Sequence, residues 1–278
     1  MALKIIHTVR HGYRSNWLPP NEQIEPYTGI DSDFPLAPHG IDQSHELAAH
    51  ISSMKDGHKP QLIFSSPFYR CVETITPTAD ILDLAIHTDR GIGEWYKPGR
   101  PVIPQPADHS VMHEFFPRVP NSMIWEWDAV IPNPQGETEV EIFERCKKWW
   151  DWFIPKFESE HPEITSIILV THAATKIALG MSLLGYSSVR DTLLEKHGGD
   201  GGSIKLGGST CSIDTFSREF DGDWSLSKNA DTSFLKSGAE MDWHYITSQF
   251  EAGSKEDIEY RNLMQQEQDK VNARQCKL

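Results

Sequence analysis

Leu3-Lys4-Ile5-Ile6-His7-Thr8-Val9-Arg10-His11-Gly12 decides the fold. A short, largely apolar run of this kind reads as a buried strand, and here it stops on a guanidinium and an imidazole. Open parallel sheets meet their ligands at the carboxyl ends of the strands, which makes Arg10 and His11 candidates for holding an anion. By itself the tripeptide is equally a solvated turn, but three later segments repeat the pattern. Gln61-Leu62-Ile63-Phe64 runs into Ser65-Ser66-Pro67-Phe68-Tyr69-Arg70-Cys71, with Arg70 in the first turn of a helix. Ile86-His87-Thr88 runs into Arg90-Gly91-Ile92-Gly93-Glu94-Trp95, a glycine-punctuated loop carrying a carboxylate. Ser166-Ile167-Ile168-Leu169-Val170 runs into Thr171-His172-Ala173-Ala174-Thr175 and delivers a second histidine at a strand-to-helix junction. Four strand ends, in one chain order, present His, Arg, Glu and His.

The alternation of strands and helices between Leu3 and Leu184 predicts an α/β fold. Its expected form is a three-layer α/β/α sandwich with a mostly parallel central sheet. Helices are expected over His39 to Met54, Phe68 to Leu84, Glu137 to Phe157 and Ala173 to Leu184, with Pro77 bending or ending the second. Cys211 to Glu219 and Trp224 to Lys228, joined through Asp221-Gly222-Asp223, read as a hairpin. The Pro- and aromatic-rich stretch 99–134 reads as a lid insertion over the site. Residues 1–253 form one expected domain, and 254–278 a polar tail, helical or disordered.

Other stretches carry ordinary readings. His45 and His50 are five residues apart and do not share a helix face for one metal, unlike a zincin pair. The glycines of His197 to Gly202 do not open a helix after a strand, so a dinucleotide fingerprint fails there. Val140, Ile142, Phe143, Cys146, Trp149, Trp150 and Phe153 form a helical stripe read as core, behind a Thr138-x-x-Glu141 capping box.

With 278 residues and 38% hydrophobic content the chain can bury a sizeable core. Its net charge of −14 argues against binding nucleic acid through the general surface. An arginine cluster inside an acidic protein instead concentrates an anion at one cleft. Four cysteines without a Cys-x-x-Cys pair suit reduced thiols. A membrane partner is not expected, since no run is long enough to span a bilayer, and the setting read from these features is cytoplasmic, nuclear or both. The terminal Cys276-Lys277-Leu278 is a near relative of the Ser-Lys-Leu peroxisome address, but three residues on a polar tail read better as a frayed end.

The four strand-end segments resemble the histidine phosphatase superfamily, also called phosphoglycerate mutase-like. Arg-His-Gly-x-Arg at Arg10 to Arg14 and Ser-Pro-x-x-Arg-Cys-x-x-Thr at Ser66 to Thr74 resemble its tyrosine-phosphatase-like arm. The stretches around Arg10 to Asp33, Gly91 to Tyr96, Pro101 to Pro104 and Thr171 to Leu184 resemble a fungal group. That group contains the phosphatase-like part of the small tau-A subunit of transcription factor IIIC and stand-alone relatives.

The resemblance implies roles. His11 attacks phosphorus and carries a phosphohistidine intermediate. Arg10, Arg14 and Arg70 clamp the phosphate oxygens with forks of matching geometry, and their charge should hold His11 neutral. His172 donates to the developing oxygen charge. Glu94 passes a proton to the leaving oxygen, for which its carboxyl must be protonated, through partial burial or a neighbouring anion such as the bound phosphate. Tyr13 is a candidate substrate contact; with Trp17, Trp95 and Tyr96 it lines an aromatic slot or packs in the core, and the sequence leaves both open. No metal and no cofactor is expected. The implied activity is that of a phosphomonoesterase acting on a phosphorylated small molecule or phosphoprotein, phosphotyrosine and aryl phosphates included. The alternative is a scaffold that keeps the fold and serves transcription factor IIIC subunits as partners.

Overall fold

The computed structural model describes residues 3–218, 222–245, 250, 254–260 and 263. A six-stranded sheet runs through its centre in the order β3-β2-β4-β1-β5-β6. Strands β1 (Ile5–Arg10), β2 (Leu62–Ser65), β3 (Ile86–Thr88) and β4 (Ser166–Thr171) are mutually parallel, with Arg10 in register with Thr171. The expected hairpin is β5 (Ile213–Arg218) and β6 (Trp224–Asp231); β5 pairs antiparallel with β1, so the sheet is mixed at that edge.

Every residue of β1 and β4 is buried. That is the state their near-continuous apolar runs call for when helices cover both faces of a sheet. One face packs on α1 (Pro38–Ser52) and α2 (Tyr69–Leu82), where Leu47, Ile51, Val72, Ile75 and Ala79 meet Ile63, Ile168 and Val170. The other packs on α4 (Glu139–Glu160) and α5 (Ala173–Leu183), with Trp149, Phe153 and Phe157 against Phe64, Ile167 and Leu169. The capping box at Thr138 and Glu141 is formed. Of the predicted stripe Val140 alone points out, 71% exposed, because it sits in the first turn beyond the core edge.

Helix α2 does not end at Pro77 but continues to Leu82, because Ile75 and Ala79, wholly buried on either side, fix it by packing. The two ends of the insertion 99–134 lie beside Glu94 and Tyr96, through Arg100 to Pro106 and Ile131 to Pro134. Between them it contains a fifth helix, α3 (His109–Phe115), whose end packs against α2 through Tyr69 and Phe116 at 4.7 Å and Arg118 with Asp80 and Asp83. Of the tail, residues 255–260 are helical, while Cys276-Lys277-Leu278 lie outside the described residues.

Candidate active site

Four elements deliver the candidate site residues to the carboxyl end of the parallel strands. Strand β1 is paired on both sides, and His11 N donates to Thr171 O at 2.9 Å, so the strand end is fixed as it leaves the sheet. The glycine that follows is required by space: a Cβ on Gly12 would stand 2.9 Å from Gly40 O, where α1 crosses the loop. Arg10 turns back and donates through Nη1 to the carbonyls of Gly208 and Met241. His172 is the N-cap residue of α5, and Arg70 sits in the first turn of α2.

The Glu94 loop is held from beneath. The Asp89 side chain accepts from Gly91 N at 2.6 Å and Trp149 Nε1 at 2.8 Å, and burial pushes its carboxyl up to about 8. Arg145 Nη1 donates to Gly91 O, Thr171 Oγ1 to Ile92 O and Thr175 Oγ1 to Gly93 O. The three successive carbonyls from Gly91 to Gly93 therefore each have a side-chain donor, which places the Glu94 carboxylate against Arg70 and His172.

Those three groups are in direct contact. Arg70 Nη2 donates to Glu94 Oε2 and to His172 Nδ1, each at 3.0 Å, and Glu94 Oε2 lies 3.1 Å from His172 Nδ1. His172 Nδ1 stands between a donor, Arg70 Nη2, and an acceptor, Glu94 Oε2, while its Nε2 lies 2.8 Å from Ser66 Oγ. The His11 ring stands 5.4 Å from the His172 ring. Its Nδ1 lies 2.8 Å from Gly12 O, an acceptor only, so Nδ1 carries the hydrogen and Nε2 keeps its lone pair.

Charge and burial set the protonation states. Burial first, then Arg70 and Arg10, hold the His11 pKa well below the usual imidazole range. Burial also lowers His172, to about 4, although Glu94 pulls the other way. For Glu94, burial would raise the carboxyl, but His172, Arg70 and Arg14 overcome it and hold the group below the normal carboxylate range. Both imidazoles are therefore neutral at pH 7 and Glu94 is ionised. The protonated Glu94 that proton donation calls for therefore needs a neighbouring anion such as a bound phosphate, because its contacts with His172 and Arg70 hold the carboxyl down in the empty site.

Sequence reasoning missed several participants. Ser32, with a left-handed backbone at φ 65°, turns its carbonyl to accept from both Arg14 Nη2 and Arg70 Nη1 at 3.3 Å. Asp33 accepts from Tyr69 N at 2.9 Å and pairs with Arg70, which anchors the first turn of α2. The stretch Thr28 to Asp33 attracted notice only through the resemblance, and nothing local in it announces an arginine clasp. Ser66 was quoted as part of a motif without a role, as was Cys71, whose Sγ lies 3.5 Å from His172 Nε2. Tyr13 stands a layer back from the cleft: its amide is tied to Gln43 of α1, its ring packs edge-on against Trp17 at 5.0 Å, and Trp17 takes the wall.

Above these groups opens a cleft of about 1120 Å³. Arg14, Arg70 and Glu94 form its floor; Trp17, Tyr96 and Arg100 stand on its walls with Ser254, Lys255, Glu256, Ile258 and Glu259. His11 is 2% exposed behind this floor. His11, Glu94 and His172 also present ligand atoms within 4.8 Å of one another, a spacing that suits a metal ion. Three buried guanidinium groups around that trio disfavour a dication and favour an anion of tetrahedral shape.

Comparison with known proteins agrees with this geometry. The model of the histidine phosphatase superfamily, branch 1, matches residues 6–195. This chain belongs to that superfamily. It is 44% identical to the transcription factor tau 55 kDa subunit of Saccharomyces cerevisiae, over 95% of this chain and 63% of that protein, so it spans under two thirds of its relative's length. Among solved structures, the ecdysone phosphate phosphatase of Bombix mori in complex with tungstate superposes with a TM-score of 0.56 at 16% identity, covering 82% of this chain and 93% of that one. A mycobacterial glucosyl-3-phosphoglycerate phosphatase with inorganic phosphate gives 0.52 at 18% identity, covering 84% and 99%. At such identities the structural likeness speaks for the fold.

Proposed function

We propose that this histidine phosphatase hydrolyses phosphomonoesters through a phosphohistidine on His11. The observation that supports this best is a neutral imidazole with a free Nε2 lone pair beside a ring of buried guanidinium groups. In the first step His11 Nε2 attacks phosphorus, the N–P bond forms and the ester P–O bond breaks, while Arg10, Arg14 and Arg70 take up charge on the equatorial oxygens. The leaving oxygen takes a proton from Glu94. Because Glu94 is ionised in the empty site, the monoanionic ester brings that proton: its charge offsets Arg70 and Arg14 and raises the Glu94 pKa on binding. Water then attacks the N–P bond with Glu94 receiving its proton, which returns His11 and releases inorganic phosphate. His172 joins the oxygen stabilisation when its Nε2, 2.8 Å from Ser66 Oγ, carries a hydrogen and turns it to the phosphoryl group.

Aryl phosphates, phosphotyrosine among them, or other small phosphates are the substrates in this reading. The test is hydrolysis of an aryl phosphate by wild type and by His11→Ala; turnover that survives the substitution removes the mechanism. A second reading rests on the 44% identity to a transcription factor subunit: a nuclear protein that serves factor IIIC partners through its surface. A wild type without turnover that co-purifies with those subunits would select it.

A further inference from the structure

Buried hydrogen-bond donors without partners gather around the cleft. Arg14 Nε, Trp17 Nε1, Arg70 Nε and Tyr96 Oη are all shielded from solvent, and none meets an acceptor among the described residues. All four belong to residues that line the cleft. A buried donor is almost always satisfied, so such a concentration in one place calls for a ligand rich in acceptors. The two arginine atoms are explained by the phosphate clamp already described. The two neutral donors are not.

Both are fixed close to the reacting groups. Trp17 ends the short turn Ser15–Trp17, its ring lies 6.1 Å from that of His11, and the Arg10 and Arg14 guanidinium carbons sit 5.4 and 5.6 Å from its centre. Tyr96 follows Glu94 by two residues, its carbonyl accepts from Glu137 N at 2.7 Å, and the Arg100 guanidinium covers its ring at 4.8 Å. Both side chains are under a tenth exposed. Burial raises the phenol further above its ordinary value, so it remains a protonated donor at any working pH.

We propose that Trp17 and Tyr96 bind the substrate phosphate directly, as neutral hydrogen-bond donors that complete the arginine clamp. The assignment rests on the phosphatase reading. Neutral donors suit this place because a further cation would repel Arg10, Arg14 and Arg70 in the empty site and hold the product phosphate too tightly. A tetrahedral oxyanion has enough lone pairs to serve both the forks and these two hydrogens.

Calorimetric titration with inorganic phosphate tests this on the intact chain. Tyr96→Phe keeps the ring and removes only the hydroxyl; Trp17→Phe keeps an aromatic face and removes the N–H. Each is expected to weaken phosphate binding about tenfold, the scale of one hydrogen bond to a charged group, with the same loss at pH 6 and pH 8 because neither donor titrates between them. The phosphate inhibition constant and KM should rise together while the melting temperature of Tyr96→Phe stays that of wild type. Unchanged phosphate affinity in Tyr96→Phe would overturn the assignment, and is the result if trapped water satisfies the donor. A wild type that binds no phosphate would instead overturn the phosphatase reading, and this assignment with it.

Discussion

The floor of the site and the walls of its cleft are built in opposite ways. On and just behind the floor, Arg10, His11, Arg70 and His172 each sit within five residues of a strand end, and Glu94 hangs from a loop in which the Gly91 to Gly93 carbonyls accept from side chains. The walls are assembled from the 16–20 loop, Phe34, the start of the 99–134 insertion and Ser254, Lys255, Glu256, Ile258 and Glu259, segments far apart in sequence. A rigid sheet can position phosphate chemistry to a fraction of an ångström, whereas loops on its rim are free to change the leaving group they accept. The difference suggests that reaction and substrate choice are separable in this protein, and substitutions can test that.

The largest effect is expected from Arg70→Ala. It removes the donor shared by Glu94 and His172 and leaves Glu94 and Asp33 as buried carboxylates without their cation. Aryl phosphate turnover should fall by about 10³-fold or more, and chemical denaturation should show a loss of about 3–5 kcal/mol. A small change in either would mean that the floor is less unified than its geometry implies.

Acid should next weaken the floor before the walls. His7 and His172 are buried and neutral with pKa values lowered from 6.5 to about 4, by burial above all, and His11 is lowered likewise. Below pH 6.5 the unfolded chain takes up protons at these histidines that the folded chain refuses, so their contribution to stability falls as pH drops from about 6.5 towards 4, against the opposite contribution of Asp89 and Glu73, whose carboxyls burial raises to about 8 and about 7. Each histidine contributes up to about 1.4 kcal/mol per pH unit in that window. Denaturant titrations at pH 7, 6 and 5 measure the slope. His7→Asn, which deletes one such group, should lower it by the share of one proton.

Gly91→Ala probes the support of Glu94. The added Cβ would meet Trp149 Cδ1 at 2.4 Å and Val130 O at 2.7 Å, so the loop must shift. About 1–3 kcal/mol of stability should be lost, with kcat falling more than KM changes. The smallest effect is expected on the outer insertion: Met123→Ser, at a side chain 92% exposed, should alter stability by under about 0.5 kcal/mol and leave aryl phosphate kinetics as they are.

The same contrast explains what was legible in the sequence. Arg10, His11, Arg70, Glu94 and His172 follow apolar runs directly, and the topology then brings strand ends together, so the floor could be read from four local patterns. The clasp at Ser32 and Asp33 could not, because it reaches Arg70 across 38 and 37 residues and depends on a left-handed serine. Glu94's ionised state in the empty site escaped for a similar reason: it follows from contacts with His172 and Arg70 that no spacing reveals. Tyr13 and Trp17 carry equal aromatic signal in the sequence, and only the tie of the Tyr13 amide to Gln43 decides which of them reaches the wall. The insertion is rich in proline and aromatic residues along its length, yet α3 spends them on covering α2, and composition cannot separate that from a lid.

The account depends most on His11 forming a bond to phosphorus, and rapid quench of the wild-type protein during turnover of a radiolabelled aryl phosphate measures that directly. Quenched in alkali, where an N–P bond survives and acid later cleaves it, the label should be found on the peptide that contains His11 and be missing in His11→Ala. Label on any other residue, or turnover with no labelled protein at any time, would contradict it.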